Sequence, residues 1–263
     1  MIGWAHEIAA LETEDILAFY RRYYAPDNAV LVVAGDITME ELKPMAIRTY
    51  GAVPAAGIAA RERPLEPPHR AARRVELRDE RVRQAEWSRT HLAPSYNAGE
   101  SEYAYALQVL ADLLGGGSTS RLYRALVIDQ KVAVSAGAWY SPTNLYLSQF
   151  GLYASPAPGV DLVRLEAAVN TEIAALLDEG VSDDEVTRIT ARMVRGAIYA
   201  RESLGTAARI FGAALTSGTS VEDVEAWPAR IAAVTATQVI AAARAILIPE
   251  TSVTGLLLPA GED

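Results

Sequence analysis

The sequence contains no cysteine among its 263 residues, and it has only three histidines. Disulfides, thiolate metal ligands and a cysteine nucleophile are therefore excluded. There is no basic block and the net charge is −9, so we expect binding to neither nucleic acid nor an anionic membrane. No uncharged apolar run approaches about 18 residues, so we expect no membrane span. The first fifteen residues lack the basic start and apolar run of a signal peptide.

Hydrophobic residues make up 51% of the chain and charged residues 22%, which is typical of a globular protein with a sizeable core. Residues 52–73 differ from the rest because they hold four prolines, several arginines and little periodicity. We interpret this stretch as a linker. It divides the chain into residues 1–51 and residues 74–263.

Hydrophobic periodicity predicts an α+β fold. The predicted helices lie at 13–24, 39–50, 101–114, 118–129, 159–178, 183–201 and 203–216, and a last one opens at Thr235. The predicted strands lie at 28–34, 74–78, 84–92, 132–140, 145–153 and 252–258, with the fourth and fifth forming a hairpin.

Two segments match at a constant offset of 223 residues, which pairs Pro26 with Pro249. Each segment reads as a helix, a proline stop and an apolar strand, and we call them the first and second copies. The second copy closes a domain that begins near residue 73. By the repeat, an equal domain ending in the first copy needs roughly 150 further residues upstream. Residues 1–51 are therefore expected to expose apolar surface, which favours self-association.

His6 and Glu7 resemble half of a zinc-protease motif, because two histidines one helical turn apart can hold one metal ion. Position 10 is Ala10, however, and the inverted order would need Glu and His where Ala9 and Ala10 stand. His69 and His91 have no metal-binding spacing. We expect no metal site and no catalytic residue in this chain. Trp4, Ile8 and Leu11 are predicted to pack while His6 and Glu7 face solvent.

The glycine run 115–117 resembles a phosphate loop only in composition, because it follows a helix and lacks the Lys-Ser/Thr ending. We interpret it as a tight helix–helix turn that needs positive φ.

Several phrases together resemble the zinc metallopeptidases of the pitrilysin, insulin-degrading-enzyme and mitochondrial-processing-peptidase family. They are G-W-x-x-E-I at 3–8, F-Y-x-x-Y-Y-x-P-x-N-A at 19–29, an apolar strand ending in Gly35-Asp36, and S-R-L at 120–122 after the glycine turn. The resemblance implies duplicated metallopeptidase-type domains with a mixed or antiparallel sheet and helices on one face, the first copy truncated.

The resemblance also implies that the zinc motif, an inverted H-x-x-E-H, lies upstream of residue 3, so zinc belongs to the full-length enzyme. In many relatives an arginine and a tyrosine seven residues later hold the substrate. Alignment on Leu126 and Ser135 puts Val127 and Val134 at those positions, and neither can hydrogen-bond through its side chain.

Three hypotheses remain open at this point. The chain is the C-terminal part of a zinc endopeptidase, inactive alone, whose second domain walls the substrate chamber and supports the zinc domain. Alternatively it is a non-catalytic structural or partner subunit of the same family, or an unrelated α+β domain. The first hypothesis implies a missing zinc domain or a homologous subunit as partner and a peptide as substrate. Some bacterial relatives are exported; the compartment is periplasmic if a signal peptide lies upstream and cytoplasmic otherwise.

Overall fold

The computed structural model describes residues 3–58, 69–200 and 202–261, which form two compact units. Unit 1 holds the described residues up to 58 together with Ser203–Thr216, and unit 2 holds the rest. Part of the predicted linker, residues 59–68, lies outside the described residues, and its boundaries stay a prediction.

Unit 2 follows the predicted α+β pattern, whereas the described residues of unit 1 form helices and 3₁₀ turns without a strand. The helices are α1 Ala5–Ala9, α2 Thr13–Tyr23, α3 Met39–Thr49, α4 Ala104–Gly115, α5 Leu162–Glu179, α6 Asp183–Ala200, α7 Leu204–Thr216, α8 Val221–Ala232 and α9 Ala236–Ile246. The strands are β1 Arg73–Asp79, β2 Glu86–Ala93, β3 Ala133–Tyr140, β4 Ser148–Pro156 and β5 Ser252–Pro259. A π-helical segment spans Tyr123–Asp129, and 3₁₀ turns lie at Pro26–Asn28, Tyr50–Ala52, Ser101–Tyr103 and Pro249–Thr251.

The five strands of unit 2 form one mixed sheet in the order β1-β5-β2-β4-β3. β5 pairs parallel with β1 and antiparallel with β2, while β2–β4 and β4–β3 are antiparallel. One face of the sheet carries Trp87, Phe150 and Leu152, which are buried beneath the helices. α4 supplies most of the helical side of this core, because nearly all its apolar residues are buried.

The internal repeat extends to the boundaries of the elements. α2 and α9 begin and end 223 residues apart, and so do the 3₁₀ turns that start at Pro26 and Pro249. The match also extends upstream of α2, because Trp4 in front of α1 corresponds to Trp227 in α8. Both copies therefore fold locally in the same way.

The two copies differ in how far their apolar side chains are buried. In the second copy, Ile231 and Val239 are 0% exposed. Their counterparts Ile8 and Ile16 are 43% and 62% exposed. The expected exposure of apolar surface in residues 1–51 is thus confirmed. The predicted packing of Trp4, Ile8 and Leu11 is wrong, since all three are exposed.

The predicted strand 28–34 is also wrong as a sheet strand. Asn28 ends the 3₁₀ turn, and residues 29–34 join no ladder among the described residues. Its counterpart β5 has a neighbouring strand on each side, and these strands pair with its backbone NH and carbonyl groups. Residues 29–34 have no neighbouring strand among the described residues, so their backbone groups cannot form such a ladder. Within unit 1, α7 lies beside this segment, with Gly212 against the Val32 side chain.

Across the described residues, no single helix is long and apolar enough to cross a bilayer. α8 and α9 reach the length and hydropathy of a membrane span only when they are taken together, and their axes differ by 107°. Ile231, Val239 and Ile246 from these two helices are buried in the core of unit 2.

His91 is a buried titratable group in the centre of the sheet. Its ring is 2% exposed, and burial, with Arg89 adding to it, lowers its pKa from 6.5 to about 4. The neutral form is therefore favoured in the folded state. Since the unfolded chain binds a proton below pH 6.5, this stabilisation is complete above pH 6.5 and is lost as the pH falls towards 4.

We expect the free energy of unfolding of the chain to fall by about 2 kcal/mol from this group between pH 7.5 and pH 5. Urea unfolding followed by circular dichroism at both pH values measures this loss, and His91→Gln is expected to lose correspondingly less over the same interval. An equal pH dependence in the two proteins would contradict the assignment.

Candidate functional site

The glycine turn sets the geometry of the motif region. A Cβ on Gly115 would lie 1.9 Å from the backbone nitrogen of Ala138, so only glycine lets the end of α4 approach β3 this closely. Gly117 has φ +108°, which is rarely accessible to other residues. The predicted tight turn is confirmed, and it directs the chain into the π-helical segment.

Arg121 of the S-R-L motif, two residues before this segment, is hydrogen-bonded to α6. Its Nε and Nη2 donate to the two carboxylate oxygens of Glu185 at 3.0 and 2.8 Å, and Nη2 also donates to the carbonyl of Gly180 at 3.1 Å. The paired geometry suits a planar guanidinium and adds direction to the charge attraction.

Glu185 has a second role in the capping box at the start of α6, in which Ser182 is the N-cap residue. Its carboxylate accepts from the backbone NH of Ser182 at 3.0 Å, as the predicted capping box requires. The hydrogen bond from Arg121 lowers the pKa of Glu185 from 4.5 to about 2, and Ser182 adds to this shift. The pair is therefore charged over the whole neutral and mildly acidic range.

A second ion pair joins α6 to α4. Arg192 Nη2 donates to Asp112 Oδ2 at 2.6 Å. A Cβ on Gly116 would lie 2.0 Å from the other oxygen of Asp112 and 2.6 Å from Arg192 Nη2, so this pair also depends on the glycine run. The motif region is thus held by one ion pair on each side of the turn.

The two predicted substrate-binding positions lie on adjacent elements. Val127 is in the π-helical segment and is partly buried against the core. Val134 stands where the β3–β4 register shifts, at a bulge on the edge strand β3, and is 49% exposed. Neither side chain can hydrogen-bond, and the absence of the Arg–Tyr pair's function stays a prediction.

The sheet face opposite the core is apolar and uncovered among the described residues of unit 2. The register places five large side chains on this face, each at least 36% exposed: Val75, Leu77, Leu92, Trp139 and Tyr153. A solvated sheet face normally alternates to polar residues. We call this surface the open sheet face.

Within the described residues, no three His, Cys, Asp or Glu side chains are grouped so that they could hold a metal ion. His6 lies exposed on α1, and the carboxylate of Glu7 accepts from the backbone NH of Trp4 at 3.2 Å. His91 is buried on a different unit.

Sequence reasoning missed the Arg121–Glu185 pair and the open sheet face. The two residues are 64 positions apart, and no local pattern joins them. In the sequence this face is visible only as Val75 and Leu77 alternating with charged residues in β1, and as apolar residues on both sides of β4.

The fold and site define a mixed-sheet α+β domain with helices on one sheet face. It is preceded by the first copy of its last helix–turn unit, after which residues 29–34 join no ladder among the described residues. Residues 10–193 match the family model described as the peptidase M16 inactive domain. The chain belongs to this family of metallopeptidase domains, which excludes the unrelated-domain hypothesis.

Curated relatives are similar over most of this chain. An uncharacterized zinc protease of Streptomyces coelicolor is 29% identical over 98% of this chain and 56% of its own length. Zinc protease PqqE of Helicobacter pylori is 28% identical over 71% of this chain and 40% of its own length. The chain therefore spans about half the length of the curated relatives it matches.

Solved structures share the fold. A protease from Helicobacter pylori superposes with a TM-score of 0.89 at 21% identity, covering 98% of this chain and 61% of that one. A peptidase M16 inactive domain from Pseudomonas fluorescens gives a TM-score of 0.79 at 20% identity, with 97% and 60% covered.

Arg121→Ala is expected to lower the free energy of unfolding by about 2 kcal/mol, because it removes the ion-pair partner of Glu185 and the side-chain donor to the Gly180 carbonyl. Arg124→Ala, one turn away with no ion pair among the described residues, is the matched control and should cost less than about 0.5 kcal/mol. Urea unfolding at pH 7 compares them. In wild type and in Arg124→Ala, further stability should be lost as the pH falls from 4.5 towards 2, and Arg121→Ala should lose less over that interval. Equal costs in the two variants would contradict the structural role.

Proposed function

We propose that this chain is the C-terminal, non-catalytic part of a zinc-dependent endopeptidase. In this role, unit 2 walls the substrate chamber, and unit 1 completes the domain that carries the zinc. Zinc and a glutamate base of that domain would activate the water that attacks the peptide bond. The chain alone is inactive in this proposal.

The burial contrast between the two copies carries the proposal. In the second copy, β5 lies between β1 and β2, and Trp227 donates from Nε1 to Gln108 of α4 at 2.9 Å. In the first copy, the matching residue Trp4 is 72% exposed and residues 29–34 are unpaired among the described residues. The first copy therefore needs counterparts of β1, β2 and α4, which together amount to the body of a second domain.

The open sheet face supports the chamber role. Its large apolar side chains, such as Trp139 and Tyr153, give a surface on which an extended peptide can bury apolar residues. β3 also lies at the sheet edge next to this face, where backbone groups can pair with an added strand. With Val127 and Val134 in place of the Arg–Tyr pair, recognition at this wall would depend on apolar contact and backbone pairing.

A single-chain chimera tests the proposal. The part of the Streptomyces coelicolor zinc protease that precedes its matching region is joined to Gly3 of this chain. We expect hydrolysis of an unstructured peptide that a chelator abolishes. Trp4 should also become shielded from acrylamide quenching, measured against the Trp4→Phe chimera.

Val30→Lys with Val33→Lys places two charges where the first-copy strand would be buried, and it should lower chimera activity at least tenfold. Val163→Lys, at a 74% exposed site on α5, is the matched control and should leave activity unchanged. A chimera that binds zinc while Trp4 stays quenchable and the paired lysines have no effect would contradict the proposal.

A further inference from the structure

An arginine-rich groove lies in unit 2 between the π-helical segment and α6, and neither Val127 nor Val134 lines it. Its volume is about 930 Å³. Arg188, Arg192 and Arg195 recur at helical spacing, so they share one face of α6. Arg121 and Arg124 line the groove from the other element.

The charges in this groove are unequally satisfied. Five arginines and four carboxylates line it, and Arg121 and Arg192 are held by Glu185 and Asp112. Arg124, Arg188 and Arg195 are exposed and form no ion pair with any described residue. The two remaining carboxylates, Asp129 and Glu172, form no ion pair with a described residue either, so the groove carries one net positive charge in a chain whose net charge is −9.

The hydroxyl of Ser120 gives a second, independent sign of a ligand. Ser120 lines the same groove, is only 5% exposed, and its Oγ has no hydrogen-bond partner among the described residues. A buried hydroxyl without a partner costs free energy, and a ligand that hydrogen-bonds it recovers that cost.

We infer that this groove binds an acidic peptide segment with carboxylates about three residues apart. Arg188 and Arg195 are separated by seven helical residues, which is about 10 Å along α6. A polyproline II peptide returns to the same side every third residue after about 9 Å, so glutamates at that spacing meet both arginines. A single small anion cannot span this distance.

The inference concerns unit 2 alone and does not depend on the proposed zinc-domain partner. The probe is a fluorescein-labelled peptide, Glu-Pro-Pro-Glu-Pro-Pro-Glu, with the glutamine version as its control. Fluorescence anisotropy at low salt should show saturable binding of the glutamate peptide and at least about tenfold weaker binding of the glutamine peptide.

Arg188→Gln with Arg195→Gln should weaken binding of the glutamate peptide at least about tenfold. Arg83→Gln with Arg164→Gln removes the same charge from exposed positions outside the groove and should change binding less than about twofold. Ser120→Ala should weaken it about threefold without loss of fold.

Four results would overturn the inference. The first is no saturable binding up to about 1 mM peptide, and the second is equal binding by the groove and control variants. The third is displacement of the labelled peptide by inorganic phosphate at the same concentration as by unlabelled peptide. The fourth is tighter binding of single-stranded oligothymidylate than of the peptide.

Discussion

β5 is hydrogen-bonded along both edges, to β1 on one side and β2 on the other, and unit 2 depends on this placement. The last strand of the chain thereby joins the first two strands of its own domain, about 170 residues away. Leu256 then lies beside Trp87 on the core face, and α9, the helix before β5, buries Val239 and Ala243 against the rest of the core. A helix–turn–strand unit of this kind is stable because strands flank it on both edges and helices cover its core face.

The first copy has the same local structure without that cover. Helix α2 and the turn at Pro26 form from short-range signals, namely helical periodicity, the proline and Asn28 Nδ2 donating to the Tyr23 carbonyl at 2.8 Å. Burial needs partners that local signals cannot supply. The same sequence pattern therefore gives a buried strand at residue 252 and an unpaired stretch at residue 29. This difference explains why one chain combines a well-packed unit with one that exposes Ile16, Phe19 and Tyr20.

The sequence was sufficient for most helices, the hairpin, the glycine turn and the repeat, because each depends on periodicity or turn chemistry within some twenty residues. α8 was missed, and it contains Pro228 in its interior, a residue that usually ends a helix. The π-helical form of residues 123–129 was not predicted, since the sequence predicts a helix but not its hydrogen-bond register. The Arg121–Glu185 pair and the arginine groove arise from tertiary contact between distant elements.

Amide hydrogen exchange on the isolated chain tests most directly whether the first copy lacks its partners. Residues 252–259 form β5, which has a paired strand on each side. Residues 29–36 are the equivalent positions of the first copy, and they join no ladder among the described residues. The account predicts slow exchange in 252–259 and exchange near the unfolded-chain rate in 29–36. Equal strong protection of both segments in the monomeric chain would contradict it.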